Sequence, residues 1–91
     1  GGWFDAVTDA EILETQKLLA RLEGVFCEPA SATSVAGLIK QIRAGRIESG
    51  VRIACTLTGH GLKDPDTAIA QCSQPVTVDA NLAAIERIIL A

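Results

Sequence analysis

The amino-acid sequence predicts an α/β fold in which short parallel strands alternate with helices. Three short apolar runs, at 25–27, 51–57 and 76–78, have the composition of buried strands. The segments between these runs show helical periodicity, and strands joined through helices lie parallel in one sheet. The chain has 91 residues, which is enough for one small domain.

The first helix is predicted from residue 9 to about Leu22. Thr8 and Glu11 have the spacing of a capping box, in which each side chain accepts a hydrogen bond from the backbone amide of the other. Gly24 then ends the helix in the left-handed conformation that favours glycine.

The second helix is predicted from about Ser31 to Ala44, after the short strand 25–27. Pro29 separates this strand from the helix. The first turns of the helix carry small residues, which allow another backbone or a ligand to come close. These residues are Ala30, Ser31, Ala32, Ser34, Ala36 and Gly37.

The run 51–57 is the best strand candidate, because it is mostly apolar without clean alternation, as in a strand buried on both faces. Asp64 and Pro65 are expected to start a short helix that continues to about Ala70, with proline at the first helical position.

The last helix is predicted after the strand 76–78, with Asp79 as its cap. One face of this helix is apolar and is expected to cover a sheet. Where that sheet is incomplete, the exposed apolar face would favour self-association of the chain. The residues of this face are Leu82, Ile85 and Ile89.

The charge pattern and the cysteines exclude several function classes. The net charge is −3 with both signs interspersed, so neither nucleic acid nor a membrane surface is an expected partner. Cys27, Cys55 and Cys72 match no zinc or C-x-x-C pattern, which indicates free thiols in the cytoplasm and no metal site. Cys27 and Cys55 are expected to be buried and Cys72 exposed.

A small-molecule site is predicted where two of the strands end. Ligands of open α/β sheets bind beyond the carboxyl ends of the strands. The segments Glu28–Ser31 and Thr58–Gly61 follow two predicted strands, and a right-handed crossover through the second helix would place them side by side. The residues alone specify this site no further.

The runs Glu28–Ala32 and Leu57–Pro65, with Thr8–Leu13 ahead of them, resemble the bacterial-type threonine synthases of pyridoxal-phosphate (PLP) fold type II. The similarity covers nearly the whole chain, and the second run is the more specific. It implies that residues 1–91 are a single unit, the C-terminal fragment of the large PLP-binding domain. The predicted strands would then be a partial layer of that larger domain.

The resemblance also implies a cofactor role for the second run. The hydroxyl of Thr58 would form a hydrogen bond with the pyridine nitrogen of PLP and leave that nitrogen largely unprotonated, which moderates the electron pull of the ring. We expect Gly59 and Glu28 to complete the cofactor-binding residues. A structural role for Glu28 at a helix amino end is an equal alternative. The family reaction converts O-phosphohomoserine and water into threonine and phosphate.

Three groups that the resemblance requires are missing from this sequence. The Schiff-base lysine, an asparagine beside the ring and a glycine-rich phosphate loop all lie upstream in the family, and Lys63 does not match the position of that lysine. The chain alone is therefore expected to contain no catalytic residue, to bind no PLP and to be inactive. Its expected partners are the N-terminal portion of the same enzyme and, when the enzyme is intact, a second copy.

Three side chains near the two runs have simpler interpretations. His60 is expected to be a loop imidazole bonded to the backbone rather than a catalytic base, because no sequence pattern names a partner. Ser31 and Ser34 are expected to be helix caps rather than phosphate ligands.

Two other functions stay open. The first run is shared with threonine dehydratases, so the chain is also compatible with the C-terminal part of such an enzyme. The second alternative is a freestanding small-ligand or regulatory module, for example of the ACT type. The element order is unfavourable to the ACT fold, since no short hairpin turn is present.

Overall fold

Four α-helices and one 3₁₀ turn are separated by extended segments in the computed structural model, which describes residues 1–91. The four predicted helices are all present, although some of their ends differ from the prediction. They are α1 Asp9–Glu23, α2 Pro29–Arg43, α3 Pro65–Gln71 and α4 Leu82–Ile89, and Gly61–Lys63 forms the 3₁₀ turn.

The ends of α1 are the predicted ones. The backbone amide of Glu11 donates to Thr8 Oγ1 at 3.2 Å, and the amide of Thr8 donates to Glu11 Oε2 at 2.7 Å. These bonds from the Thr8 amide and hydroxyl lower the pKa of the Glu11 carboxyl. Gly24 ends the helix with φ of 66°.

Two other helix starts differ from the prediction. The helix α2 begins at Pro29 rather than near Ser31, because proline fits the first helical turn. Asn81 rather than Asp79 caps α4, and its Oδ1 accepts a hydrogen bond from the amide of Ala84 at 2.9 Å. The predicted Asp79 cap is therefore wrong.

The predicted α/β class with parallel strands is also wrong, because the chain contains no β-strand. Its only β-type pairing is an isolated antiparallel bridge between Cys27 and His60. The runs 51–57 and 76–78 have strand-like sequences but no strand structure. A strand requires a neighbour that satisfies its backbone amides and carbonyls, and apolar composition does not supply one.

The packed part of the molecule is the α1–α2 pair. Its buried positions carry small or polar side chains: Thr15 and Gln16 on α1, and Ala32 and Ala36 on α2. Small residues allow the two helices to approach closely, which gives this pair a thin core without large side chains.

The N-terminal segment is tied to α2 by a polar clamp. Lys40 Nζ lies 2.9 Å from Asp5 Oδ1, and the side-chain amide of Gln41 donates to the other carboxylate oxygen of Asp5. The hydrogen bond from Lys40 is the main cause of a lowered pKa at Asp5. The guanidinium of Arg46 donates to Gln41 Oε1 at 3.3 Å and extends the clamp.

The molecule is elongated and leaves much apolar surface open. Its radius of gyration is 17.7 Å and its extents are 61 × 27 × 19 Å, whereas a compact chain of this length has a radius of gyration of about 12 Å. Only 8 of the 91 residues are buried. No helix has both the length and the apolar character needed to cross a membrane. Large apolar side chains are exposed in the extended segments and on α4, including Val51, Ile53, Val76, Leu82, Ile88 and Ile89.

Candidate cofactor site

The two runs identified in the sequence lie side by side. The backbone amide of Glu28 donates to the carbonyl of Gly59 at 2.9 Å, and the amide of Gly61 donates to the carbonyl of Phe26 at 3.1 Å. This pattern surrounds a single antiparallel pair of residues. The expected meeting of these segments is therefore confirmed, but the segments are antiparallel rather than parallel.

Hydroxyl groups of α2 hold the second run. Ser31 is 3% exposed, and its Oγ accepts a hydrogen bond from the amide of Gly59 at 2.6 Å and lies 3.0 Å from Thr58 Oγ1. Ser34 Oγ donates to the carbonyl of Thr56 at 3.2 Å. Both serines lie within α2, so their predicted role as caps is wrong. They bind the segment that carries Thr58, whose own side chain is exposed.

The two glycines of the second run lie very close to side chains of residues 26–28. A Cβ atom at Gly59 would overlap the carboxylate of Glu28, and one at Gly61 would overlap the ring of Phe26. The Phe26 ring also meets the imidazole of His60 edge-on, with 5.7 Å between ring centroids. Glycine at these two positions allows residues 26–28 and 59–61 to pair.

The carboxylate of Glu28 forms an ion pair with Lys63, with Glu28 Oε2 3.6 Å from Nζ. Glu28 is the N-cap of α2, but its side chain makes no capping hydrogen bond. Glu28 nevertheless lies at helix amino ends, so the structural role considered for its carboxylate stays an alternative to a cofactor-facing one. Because Lys63 is largely exposed, the pair contributes little to stability.

The imidazole of His60 is bonded to the backbone, as the sequence analysis expected. Its Nδ1 accepts a hydrogen bond from the amide of Leu62 at 3.1 Å. Cys27 is buried, and burial raises the pKa of its thiol, which makes it a poor nucleophile. Cys55 is half-buried rather than buried, and Cys72 is exposed as predicted.

Two side-chain amides, of Gln16 and Gln71, connect helices to the backbone just before the first run. Gln16 Nε2 donates to the carbonyl of Cys27 at 2.7 Å, and Gln71 Nε2 donates to Gln16 Oε1 at 2.8 Å. These bonds link α1 and α3 to the residue that precedes Glu28. Neither glutamine could be identified from the sequence, because a side-chain amide on a helix belongs to no recognisable motif. The small residues at the start of α2 were the available signal for Ser31.

An open cleft of about 400 Å³ lies where the amino ends of α1, α2 and α3 come together. The carboxylates of Asp9, Glu28 and Asp64 line it, and no basic side chain does. Like charges repel, so this cleft does not suit a phosphate group. The exposed hydroxyl of Thr58 and the half-buried Gly59 belong to the paired runs and do not line this cleft.

Comparison with known families identifies the wider group. The sequence pattern of the family described as pyridoxal-phosphate dependent enzyme matches residues 1–59. The matched region includes Glu28, Ser31, Thr58 and Gly59, and it covers more than half of the chain. The chain belongs to this family of PLP-dependent enzymes.

Several curated relatives share more than half of the residues of this PLP-family chain. It is 53% identical over 89 residues to a threonine synthase of Methanocaldococcus jannaschii and 54% identical over 89 residues to one of Methanosarcina acetivorans, with 98% of the chain covered in each case. It is 53% identical to a threonine synthase of Mycobacterium leprae, with 96% of the chain covered. The chain spans 22%, 22% and 24% of the lengths of these three relatives.

Proposed function

We propose that residues 1–91 form the C-terminal part of a PLP-dependent threonine synthase and supply the side of the cofactor site that faces the ring nitrogen. The reaction is the conversion of O-phosphohomoserine and water into threonine and phosphate. The observation that carries this proposal is the identity of more than half of the residues to proteins named threonine synthase, over nearly the whole chain.

The Thr58 side of the paired runs fits the ring of PLP. Thr58 presents a neutral hydroxyl at an exposed position, while Ser31 and the adjacent amide of Gly59 hold the segment in place. The absence of a side chain at Gly59 leaves room for the Glu28 carboxylate beside this segment. The nearby carboxylate of Glu28 is held at the edge of the site by Lys63. A hydroxyl, unlike a carboxylate, does not hold a pyridine nitrogen in its protonated form.

PLP supplies an electron sink for the carbanion that forms at the substrate. The residues of this chain would position the cofactor and set how strongly its ring withdraws electrons. The Thr58 hydroxyl would donate to a neutral ring nitrogen, and Glu28 fixes the neighbouring segment through its backbone bond to Gly59. No side chain of this chain takes a catalytic part in the proposal.

The remaining functional groups are assigned to the rest of the enzyme. We propose that the N-terminal portion contributes the Schiff-base lysine, the asparagine beside the ring and the phosphate loop, and that the complete enzyme is a homodimer. This chain alone would then bind no PLP. The three free cysteines support a cytoplasmic location.

The test is an assay of the full-length protein that contains these residues. With PLP and O-phosphohomoserine we expect equal release of phosphate and threonine. Thr58→Val removes the hydroxyl at nearly constant shape, and we expect kcat to fall about 10-fold, the upper end of the effect of one hydrogen bond between neutral groups. Thr33→Ala, which removes a hydroxyl at an exposed position of the same helix, is the matched control.

Two results would overturn the proposal. Deamination of threonine without phosphate release from O-phosphohomoserine would assign the chain to a dehydratase. Binding of an amino acid by residues 1–91 alone, with no requirement for PLP in the full-length protein, would assign it to a regulatory module.

A further inference from the structure

Ser31 is the buried partner of Thr58. Its Oγ accepts a hydrogen bond from the Gly59 amide at 2.6 Å and lies 3.0 Å from Thr58 Oγ1. The side chain is 3% exposed, so water does not compete for it. We infer that Ser31 is a positioning residue that makes the Thr58 hydroxyl a hydrogen-bond donor toward the cofactor ring, an inference that rests on the proposed function.

The direction of the Ser31–Thr58 bond follows from proton counting. An amide can only donate, so the Gly59 N–H occupies one lone pair of Ser31 Oγ. The single hydroxyl proton of Ser31 is buried and needs an acceptor. The one other hydrogen-bond partner of Ser31 Oγ is Thr58 Oγ1. Ser31 therefore donates to Thr58.

Thr58 then has its own proton free for the exposed side. Because its Oγ1 already accepts from Ser31, the Thr58 hydroxyl is oriented as an outward donor. The bonds run in one direction from the Gly59 amide through Ser31 to Thr58, and each donor polarises the next in such a chain. This series of hydrogen bonds therefore leaves the Thr58 hydroxyl able to donate to a hydrogen-bond acceptor on the exposed side.

This orientation matches one protonation state of the cofactor. A neutral pyridine nitrogen accepts the Thr58 proton, whereas a protonated nitrogen would place a donor against a donor. Ser31 thus favours the neutral ring without touching it. The helix α2 fixes Ser31 for this role, since the Ser31 amide donates to the carbonyl of Glu28 at 2.9 Å in the first turn.

The experiment compares two cofactors in the full-length protein. One is PLP, and the other is its analogue with a C–H group in place of the ring nitrogen. The dissociation constant of each is measured by fluorescence titration, and their ratio reports the contact to the nitrogen. The wild type is expected to prefer PLP. Thr58→Val should lower this preference about 10-fold, the upper end of the effect of a hydrogen bond between neutral groups.

Ser31→Ala is expected to lower the preference about 3- to 10-fold, because Thr58 keeps its hydroxyl but loses its orientation. In the Thr58→Val background, Ser31→Ala should lower it no further. Thr33→Ala, at an exposed position of α2, should leave the ratio unchanged. Ser31→Cys keeps a weak donor of similar size and should give an intermediate ratio, which decides the matter even if Ser31→Ala fails to fold.

The outcomes separate this inference from the proposed function. If Ser31→Ala and Ser31→Cys weaken both cofactors equally and leave the ratio unchanged, Ser31 is only structural and the inference is overturned while the Thr58 contact stands. If Thr58→Val itself leaves the ratio unchanged, the proposed contact to the ring nitrogen is overturned as well.

Discussion

At the scale of single residues, the candidate site depends on groups that are small rather than reactive. Gly59 and Gly61 allow two segments to touch, and Ser31 fills the space beneath Thr58 with a hydroxyl. The reactive side chains nearby are either buried, as Cys27 is, or bonded to backbone, as His60 is. None of these side chains is therefore presented as a free nucleophile or base, which agrees with the proposal that this chain contributes no catalytic residue.

Gly61→Ala is expected to destabilise the chain, because Gly61 is buried and the new Cβ would overlap the ring of Phe26. The free energy of unfolding should fall by about 1–3 kcal/mol, as for other overpacked sites. Gly37→Ala is the matched control, since a Cβ there meets nothing within 4 Å and alanine favours the helix interior by about 0.5–1 kcal/mol. Urea denaturation followed by circular dichroism measures both. Equal stability of the two variants would contradict the steric role of Gly61.

The sequence identified part of this site. Glu28, Thr58 and Gly59 lie together in the structure as the sequence analysis expected, although their role toward PLP stays a prediction. The contribution of Ser31 was missed because a hydroxyl in the first turn of a helix usually caps it. Its actual partner is set by which segment lies opposite, and that is a long-range property. The same reason applies to Gln16.

At the scale of elements, local signals account for the helices. Thr8→Ala is expected to lower the stability of α1 by about 1 kcal/mol, because it removes half of the capping box. Thr33→Ala, at an exposed position within α2, is the matched control and should not lower helicity. Circular dichroism at 222 nm during urea denaturation is the measurement. If both variants lose equal helicity, the capping box does not contribute as described.

Acid should weaken the same elements. The pKa of Glu11 is lowered by its bonds to Thr8, and that of Asp64 by its bonds to Thr67. A carboxyl whose pKa is lower in the folded state stabilises the fold above its unfolded pKa and loses this effect as the pH falls through the folded value. Stability should therefore fall below about pH 4. Glu11→Gln keeps the box acceptor without a charge, so its acid-dependent loss should be smaller. An identical pH profile would contradict this assignment.

The strands show where local signals fail. The run 51–57 is apolar and β-branched, yet it forms no strand, because no other segment of the described residues pairs with it. Helix hydrogen bonds close within a few residues, whereas strand hydrogen bonds need a partner from elsewhere in the chain. The helices were therefore predictable from 91 residues and the extended segments were not.

At the scale of the whole molecule, the open apolar surface determines behaviour in solution. Val51 and Ile53 in the extended segment, and Ile89 on α4, are exposed. We expect self-association of the isolated chain, seen as a rise in sedimentation coefficient with concentration. Ile89→Glu should weaken it, whereas Glu86→Gln, which removes a charge without adding apolar surface, should not. A chain that sediments as a monomer at all concentrations would contradict this expectation.

The proposed role of Thr58 depends on whether the ring nitrogen of bound PLP is neutral and accepts a hydrogen bond from the Thr58 hydroxyl. The most direct measurement is the ¹⁵N chemical shift of PLP labelled at the ring nitrogen and bound to the full-length protein. In the wild type we expect the ¹⁵N chemical shift of a neutral, hydrogen-bonded pyridine. In Thr58→Val this chemical shift should move toward the value of free pyridine. A pyridinium shift, or a shift that Thr58→Val leaves unchanged, would contradict it.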